Sequence, residues 1–540
     1  MTAYFSAAAF AILAQVLAAV TAPWSLGFAI RVRAIAVWSI AASALFLVQD
    51  YRVVLLGTAV AMLVIAPIQP AKRAGFFLIA APCLPVYITT LISLPGINNL
   101  LYLTHYKIAV LVLLLPMLAS ARPQGAPQFT ITTADVCLAL YVLMTAIIVA
   151  ISVNPTSALR HILDQTLILV LPYSLLRYAI YDLDSVDECF KAFIYVSVGL
   201  AFVAIVSALK VWDFYQLVQP PSVFTIPDFR GGFLRINAVG TTHTLGFHLA
   251  AAIVVLEYLK TRVRIGVISL MLIRCLLLAG LFFTASRGAS LGLCAALIVY
   301  GFIVVERTSM RLAFAFIIAI GSIGGGLWLL LADTGLADPY GTFSYRQSLL
   351  KTSIEQILKY PLFGDLFFSK RPEFEHLVTG QGIVDVTNLY LEVCLPFGLV
   401  GFVLFFGFIT FPGLRLVGQI QWSTATKNSA RVLRRGRTTP KLASGPQTEL
   451  PGGSSSNGED RRWRRAVAVT LGVITGWLTL VTTTSDAGLT MHIGLFYVAL
   501  TRVLSELARP HTVTNRVGRV GRNAIVRDTK RTNEPVIVSG

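Results

Sequence analysis

Four arginines beside long apolar runs are the residues of this sequence best suited to chemistry: Arg230, Arg235, Arg287 and Arg346. An arginine keeps its positive charge, and its fork of N–H donors matches the oxygen atoms of a phosphate. Placing a charged group next to a bilayer costs free energy, so a sequence that keeps one there has a candidate functional residue at that position. Together the four predict a site for a lipid-linked phosphate or diphosphate. For any single arginine, snorkelling towards water or structural pairing is an equally good explanation.

Two further side chains are candidates for proton transfer. His376 and Asp385 lie just before a long apolar run, where a general base could accept a proton from a substrate hydroxyl. The alternative for each is a solvated loop residue without chemistry. His243, at the start of another run, is interpreted as a capping or interface residue. The sequence contains no His-Glu-x-x-His, CxxC or Walker pattern, so we expect no metal site, no cofactor and no ATP-driven pump.

The elements that position these residues must lie in a membrane. Hydrophobic residues make up 56% of the 540 residues, charged residues make up 13%, and the mean hydropathy is +0.74. Soluble domains carry about 25% charged residues. Many charge-free runs approach the ~20 residues that a membrane-crossing helix needs, and they lack the alternation of barrel strands. The sequence predicts an all-α, polytopic bundle of about 12–15 spans. The predicted spans include 74–95, 100–119 and 312–332. Soluble, fibrous and disordered classes are excluded.

The net charge of +18 could indicate nucleic acid, but its distribution indicates a membrane topology. Residues 415–465 contain 11 Lys and Arg against 3 Asp and Glu, and residues 502–540 contain 8 against 3. Short basic connectors recur at 31–33, 72–73, 260–264 and 307–311. Placing all of these in the cytoplasm gives a consistent alternation of spans, as the positive-inside rule requires. No motif of a nucleic-acid-binding fold accompanies the basic residues. The alternation puts the four arginines on the opposite, extracytoplasmic side.

Five regions are predicted along the chain. Residues 1–211 form the first group of spans, and 212–411 form a central region that includes an outer loop at 333–386. Residues 412–465 form a flexible basic insert in the cytoplasm, 466–505 form the last spans, and 506–540 form a basic cytoplasmic tail. Within the outer loop, residues 345–359 have helical apolar spacing and predict an amphipathic helix on the membrane surface.

Four motifs in the central region resemble those of the O-antigen ligase and polymerase superfamily. Phe-Thr-Ala-Ser-Arg-Gly-Ala at 283–289 is similar to its Ser-Arg-Gly signature, and Arg-Ile-Asn-Ala-Val-Gly-Thr-Thr-His from Arg235 is similar to the stretch before it. Pro-Leu-Phe-Gly at 361–364 resembles its Pro-Leu-x-Gly element. Asn-Leu-Tyr-Leu at 388–391, followed by Gly-Leu-Val-Gly at 398–401, resembles its final run. Order and spacing agree over about residues 230–410, whereas the first two hundred residues share only hydropathy.

The resemblance implies a membrane glycosyltransferase that uses an undecaprenyl-diphosphate-linked glycan without a metal. It implies a bacterial inner-membrane protein with its active site on the extracytoplasmic face, and Arg235 and Arg287 match family arginines thought to bind the diphosphate. Other polysaccharide-assembly proteins are expected partners. Ligases carry a histidine before the Asn-x-x-Leu element, where this chain has Thr387. This departure favours a polymerase, for example of exopolysaccharide or O-antigen, over a ligase. A transporter and a non-catalytic scaffold are the alternatives from other classes.

Overall fold

The computed structural model describes most of the chain: residues 1–48, 50–95, 97–120, 130–218, 229–230, 233–238, 240–305, 342–379, 382–436, 455–482 and 487–508. The predicted span at 312–332 lies outside these residues. Within the described part the architecture is a bundle of helices with two short strand pairs. The prediction of an all-α class is confirmed.

Sixteen α-helices are described. In chain order they are α1 Thr2–Thr21, α2 Phe28–Ser43, α3 Tyr51–Ile65, α4 Pro70–Ala80, α5 His105–Ala109, α6 Thr133–Ser152, α7 Pro155–Gln165, α8 Leu171–Ala179, α9 Leu183–Leu209, α10 Thr242–Leu259, α11 Val267–Thr284, α12 Arg287–Val304, α13 Thr342–Lys359, α14 Leu389–Gly436, α15 Ser455–Leu480 and α16 Ala487–Leu507. Short π-helical segments (Ala44–Val48, Val110–Leu114, Thr166–Val170) and 3₁₀ segments (Leu115–Ala119, Phe214–Val218, Phe368–Lys370, Pro372–Leu377) extend or connect them.

Eight described helices are long and apolar enough to cross a membrane: α1, α2 with its π extension, α6, α9, α10, α11, α12 and α14 as far as Ile420. The chain is therefore a multi-pass membrane protein. Helices α9 and α10 are buried along most of their length and form the centre of the bundle. Only 28% of each of the helices α11 and α12 is buried, as expected of helices that face lipid.

One prediction of spans is wrong in part. The sequence predicts membrane-spanning helices at 74–95 and 100–119, but the end of the first run and the start of the second form an antiparallel hairpin, with β1 at Thr89–Leu94 and β2 at Ile97–Thr104. Pro85 interrupts the backbone hydrogen bonding of a helix, and Pro95 lies in the turn that follows β1. Hydropathy alone does not distinguish an apolar hairpin from a helix.

Helices α12 and α15 cross closely and in opposite directions. A Cβ atom on Gly292 would lie 2.7 Å from the carbonyl oxygen of Gly476, and a Cβ on Gly472 would lie 2.7 Å from that of Ala296. Small residues let helix backbones approach in this way. The antiparallel pairing puts the start of α12, at Arg287, at the same end of the bundle as the last residues of α15.

The structure also shows where the basic insert and the outer loop contain helix. Residues 412–436 continue α14, and residues 455–465 form the first turns of α15. In the loop, α13 confirms a helix over the predicted amphipathic segment. One face of it packs on a small apolar core formed by Leu349, Phe374, Leu377, Leu391 and Leu395.

Candidate functional site

The bend between α11 and α12 builds the first part of the candidate site. Ala285 adopts a left-handed conformation with φ of 48°, which ends α11 and turns the chain sharply. The Ser286 hydroxyl then caps α12 by accepting the N–H of Ala289 at 3.3 Å. Arg287 is the first residue of α12, and its side chain is exposed. The unpaired N–H groups and positive end of a helix dipole favour an anion at this position.

Arg235 lies against the same bend. Its Nε donates to the carbonyl oxygen of Thr284 at 3.5 Å, and its Nη2 donates to Oγ1 of Thr242 at 2.7 Å. The N–H of Ile236 also donates to the carbonyl oxygen of Phe283 at 3.3 Å. Only 9% of Arg235 is exposed. The two family-like arginines, 52 positions apart in the sequence, are therefore carried by two segments that touch.

The start of α10 completes this group. His243 is hydrogen-bonded through Nδ1 to the Oγ of Ser286 at 2.9 Å. A Cβ atom on Gly246 would lie 2.8 Å from Cβ of Ala289, so a glycine is needed for α10 to approach the bend this closely. The prediction of His243 as an interface residue agrees with this contact. Its bond to the residue that caps α12 gives it a place in the site that the sequence did not indicate.

Arg230 is placed near this group through its backbone. It lies in β3, Phe229–Arg230, which pairs antiparallel with β4, Phe233–Leu234. Strand β4 leads directly into Arg235. We name the set of Arg235, His243, Ser286 and Arg287 the bend site.

Arg346, His376 and Asp385 form a second group on the outer loop. The hydroxyl of Tyr345, next to Arg346 on α13, is within 3.3 Å of the carbonyl oxygen of Leu377 and 3.0 Å of that of Asp385. It also accepts the N–H of Asp385 at 2.9 Å. This one phenol therefore holds the chain beside His376 close to the chain at Asp385. Arg346 and His376 are exposed, and Asp385 is half-buried.

Helices α12 and α15 place both groups at one end of the bundle. The N–H of Leu389, just after the segment 385–388, donates to the carbonyl oxygen of Val481 at 3.0 Å. Val481 follows the end of α15, which lies beside the start of α12. The Asn388 side chain caps the turn that begins α14, accepting the N–H of Tyr390 at 2.8 Å. The segment that carries Asp385 therefore reaches the end of the bundle where Arg287 lies.

Two of the family-like motifs serve architecture. Gly364 and Gly398 both have positive φ, 69° and 65°. A Cβ on Gly364 would lie 2.5 Å from the carbonyl oxygen of Leu395, and one on Gly398 would lie 2.3 Å from that of Leu362. The N–H of Leu399 donates to the carbonyl oxygen of Pro361 at 2.8 Å. The two glycines thus allow the loop backbone to dock into a kink in α14.

Asp213 is a buried acid that the sequence analysis did not select. It is 3% exposed, and its carboxylate accepts the N–H groups of Tyr215 at 3.3 Å and Asn237 at 3.4 Å. Burial raises the pKa of Asp213 to about 6, although these two hydrogen bonds oppose the rise. Asn237 is two residues from Arg235, so Asp213 supports the segment that carries this arginine. A lone aspartate after an apolar run gives no signal of such a contact.

No group of three or more His, Cys, Asp or Glu side chains in the described residues is placed to hold a metal ion.

One segment of the chain matches a known protein family. Residues 272–406 match the family model described as O-antigen ligase. The match includes Arg287, Arg346, His376 and Asp385, and begins after Arg235. A search of curated proteins found no match for the chain. Residues 272–406 of this chain are therefore similar to the O-antigen ligase family.

Proposed function

We propose that this protein is a polymerase that joins undecaprenyl-diphosphate-linked repeat units into a cell-surface polysaccharide. The observation that carries this proposal is the bend site, where Arg235 and Arg287 come from two touching segments at the start of α12. Two guanidinium groups, helix N–H donors and the His243–Ser286 pair give a site suited to a diphosphate. The site lies at the extracytoplasmic face of the bacterial inner membrane, as the positive-inside topology predicts.

The proposed reaction is a displacement at the anomeric carbon of the donor glycan. The hydroxyl oxygen of the acceptor sugar bonds to that carbon, and the bond from the carbon to the diphosphate oxygen breaks with its electron pair. Arg235 and Arg287, with Arg230 or Arg346, stabilise the negative charge that grows on the leaving diphosphate. They supply the positive charge that a divalent ion provides in other sugar transferases, so we propose a metal-independent enzyme. Direct displacement inverts the anomeric centre.

The proton of the acceptor hydroxyl goes to a base on the outer loop, Asp385 or His376. The segment that contains Asp385 continues to Leu389, whose N–H bonds to the end of α15 near Arg287. This position favours Asp385 over His376 as the base. Thr387 stands where ligases carry a histidine, and this supports a polymerase over a ligase.

The test is transfer by the purified full-length protein in detergent, with lipid-linked repeat units as donor and acceptor. Arg287→Ala should lower transfer by about 10²–10³-fold, the range for removal of a single transition-state donor. Arg287→Lys should retain part of the transfer rate, because lysine supplies the positive charge but lacks the paired N–H donors of the guanidinium group. Arg264→Ala is the matched control. Arg264 is exposed and precedes the first residue of α11, whereas the bend follows the last, so this variant should transfer at the rate of the unchanged protein.

Full activity of Arg287→Ala would overturn the assignment. A transporter would show no transfer in detergent, where no compartments exist. Cells that lack the protein should accumulate single repeats on the carrier. Free polymer on the carrier would instead support a ligase.

A further inference from the structure

Two cavities lie side by side at the bend-site end of the bundle. The smaller, about 80 Å³, is mainly apolar and is bounded by Gly240, Thr244 and His248 next to the bend site. The larger, about 390 Å³, is lined by residues of α5, α6, α7, α14 and α16 and of the segment that follows α4. Tyr106 and His492 line both cavities, and their rings stack with centroids 3.5 Å apart. This pair, together with Ala81, Leu84 and Val86, therefore lies between the two spaces.

The larger cavity has the chemistry of a sugar pocket. Its volume lies in the range of about 300–1,000 Å³ that is usual for small-molecule sites, and its wall is largely apolar with a few polar groups that converge. Aromatic rings offer flat faces to the C–H side of a sugar, and the polar side chains can bond its hydroxyls. Those rings are Tyr106, Tyr141, Phe397 and Phe405, and the polar side chains include His105, Lys107, Gln165, Glu392 and His492.

Two histidines of this wall each have a ring nitrogen without a hydrogen-bond partner in the part of the chain that the structure describes. Among the residues that the structure describes, Nδ1 of His105 and Nδ1 of His492 are buried without a hydrogen bond. His105 is 2% exposed, and its Nε2 lies 2.8 Å from the carbonyl oxygen of Ala80. A carbonyl oxygen only accepts, so Nε2 carries the proton and Nδ1 is an acceptor. Burying an acceptor without a donor is costly, and a ligand hydroxyl is the donor that fits.

The cation on this wall is already paired. Lys107 is 3% exposed, forms an ion pair with Asp164, and donates to the carbonyl oxygen of Tyr102 at 2.7 Å. Since its charge is compensated, the cavity favours a neutral sugar over a second phosphate.

Glu392 ties the cavity to the segment that carries Asp385. It lies in the first turn of α14, where its N–H donates to the carbonyl oxygen of Asn388 at 2.9 Å. Leu389 and Val393 line the same wall. A sugar in the larger cavity would therefore lie beside the start of α14, where the outer-loop segment ends.

We propose that the larger cavity binds the terminal sugar of the acceptor glycan. Nδ1 of His105 and the Glu392 carboxylate accept hydrogen bonds from its hydroxyls, and Tyr106 with His492 divides it from the space next to the bend site. The assignment to an acceptor rests on the proposed transferase function. The presence of a sugar site rests on the cavity alone.

The test is binding of the oligosaccharide released by mild acid from the lipid-linked repeats of the source organism. This probe lacks the carrier and the diphosphate, so it reports the cavity without the bend site. The full-length protein in detergent and its Arg287→Ala variant should bind it equally. Glu392→Gln, which keeps the shape of an exposed side chain, and His492→Phe, which keeps the stacked ring, should each weaken binding about tenfold. Val403→Ala, on an exposed part of α14, is the control and should bind normally.

Unchanged affinity in both cavity variants, no binding by the unchanged protein, or loss of binding in Arg287→Ala would overturn the proposal. A melting curve of His492→Phe shows whether weaker binding results from a lost contact or from unfolding. Glu392→Gln tests the same cavity independently. Binding at the cavity without any transfer of lipid-linked glycan would leave the sugar site in place and refute the transferase function.

Discussion

Asp213 illustrates how a single buried residue makes the stability of the protein depend on pH. Its pKa in the folded protein, about 6, lies above its ordinary value of 3.8 because the carboxyl group is desolvated. The folded state therefore holds the proton more tightly than the unfolded state between these two values. The contribution of Asp213 to stability is fully favourable below pH 4 and is lost as the pH rises through 6.

We predict that lowering the pH from 7 to 5 stabilises the protein through Asp213 by roughly 1–2 kcal/mol. Thermal unfolding in detergent at both pH values measures this change, and Asp213→Asn should reduce it. The variant loses one acceptor oxygen, so its melting temperature should be lower at both pH values; the diagnostic quantity is the slope with pH. The same slope in both proteins would contradict the prediction.

At the scale of elements, the kink in α14 decides how the outer loop meets the bundle. Gly398 combines a positive φ with a backbone approach that leaves no room for a Cβ atom. Its partner Gly364 has the same two properties on the loop side. The motifs that resemble the family there are explained by this docking, which in turn holds the start of the segment leading to Asp385.

Gly398→Ala should therefore destabilise the protein by at least about 2 kcal/mol, from backbone strain together with the clash against the carbonyl oxygen of Leu362. Gly418→Ala is the matched control in the same helix, because a Cβ there meets nothing within 4 Å. Thermal unfolding of the two variants gives the comparison. Equal melting temperatures would show that the kink carries no strain.

At the scale of the whole molecule, the end of the bundle opposite the bend site is fastened by buried ion pairs. Arg177 is fully buried, donates to Asp135 at 3.1 Å and to Glu506 at 2.7 Å, and Arg502 also pairs with Glu506. These contacts join α6, α8 and α16. Removing one member leaves the other charges buried and uncompensated.

We expect Arg177→Met to cost about 3–5 kcal/mol in stability, while transfer per folded molecule stays unchanged because the bend site is at the other end. Lys191→Met, in the partly exposed pair with Glu188, should cost no more than about 1 kcal/mol. Unfolding curves combined with transfer assays on the folded fraction measure both quantities. A loss of specific transfer in Arg177→Met would indicate that the two ends are coupled.

The proposed sidedness of the bundle is also testable. Thr482 is exposed just after α15, at the bend-site end, and Arg264 is exposed before α11, at the other end. In a chain whose exposed Cys275 and Cys294 are replaced by alanine, Thr482→Cys should react with a membrane-impermeant maleimide in spheroplasts. Arg264→Cys should react only after permeabilisation. The reverse pattern would place the bend site in the cytoplasm.

The amino-acid sequence by itself determined the helical membrane class, the resemblance to a known family and the residues to be tested first. Composition and the length of apolar runs show which parts of a chain must be removed from water. This information is local, so the sequence is sufficient to give it. The Ser-Arg-Gly signature and the isolated charges are likewise local. The apolar hairpin formed by β1 and β2 was not predicted, because hydropathy indicates burial and does not distinguish a strand from a helix.

The tertiary structure alone decided which residues meet. Arg235 touches the bend before Arg287, Gly364 docks against Gly398, and Asp213 supports Asn237 because helices distant in sequence pack together. The cavity next to Glu392 is a space between several helices that are distant in sequence, and it has no sequence motif of its own. Such contacts depend on the angle at which helices cross and on how closely their backbones approach. Both are set by the packing of pairs of helices, and neither can be read from the pattern of residues along one helix.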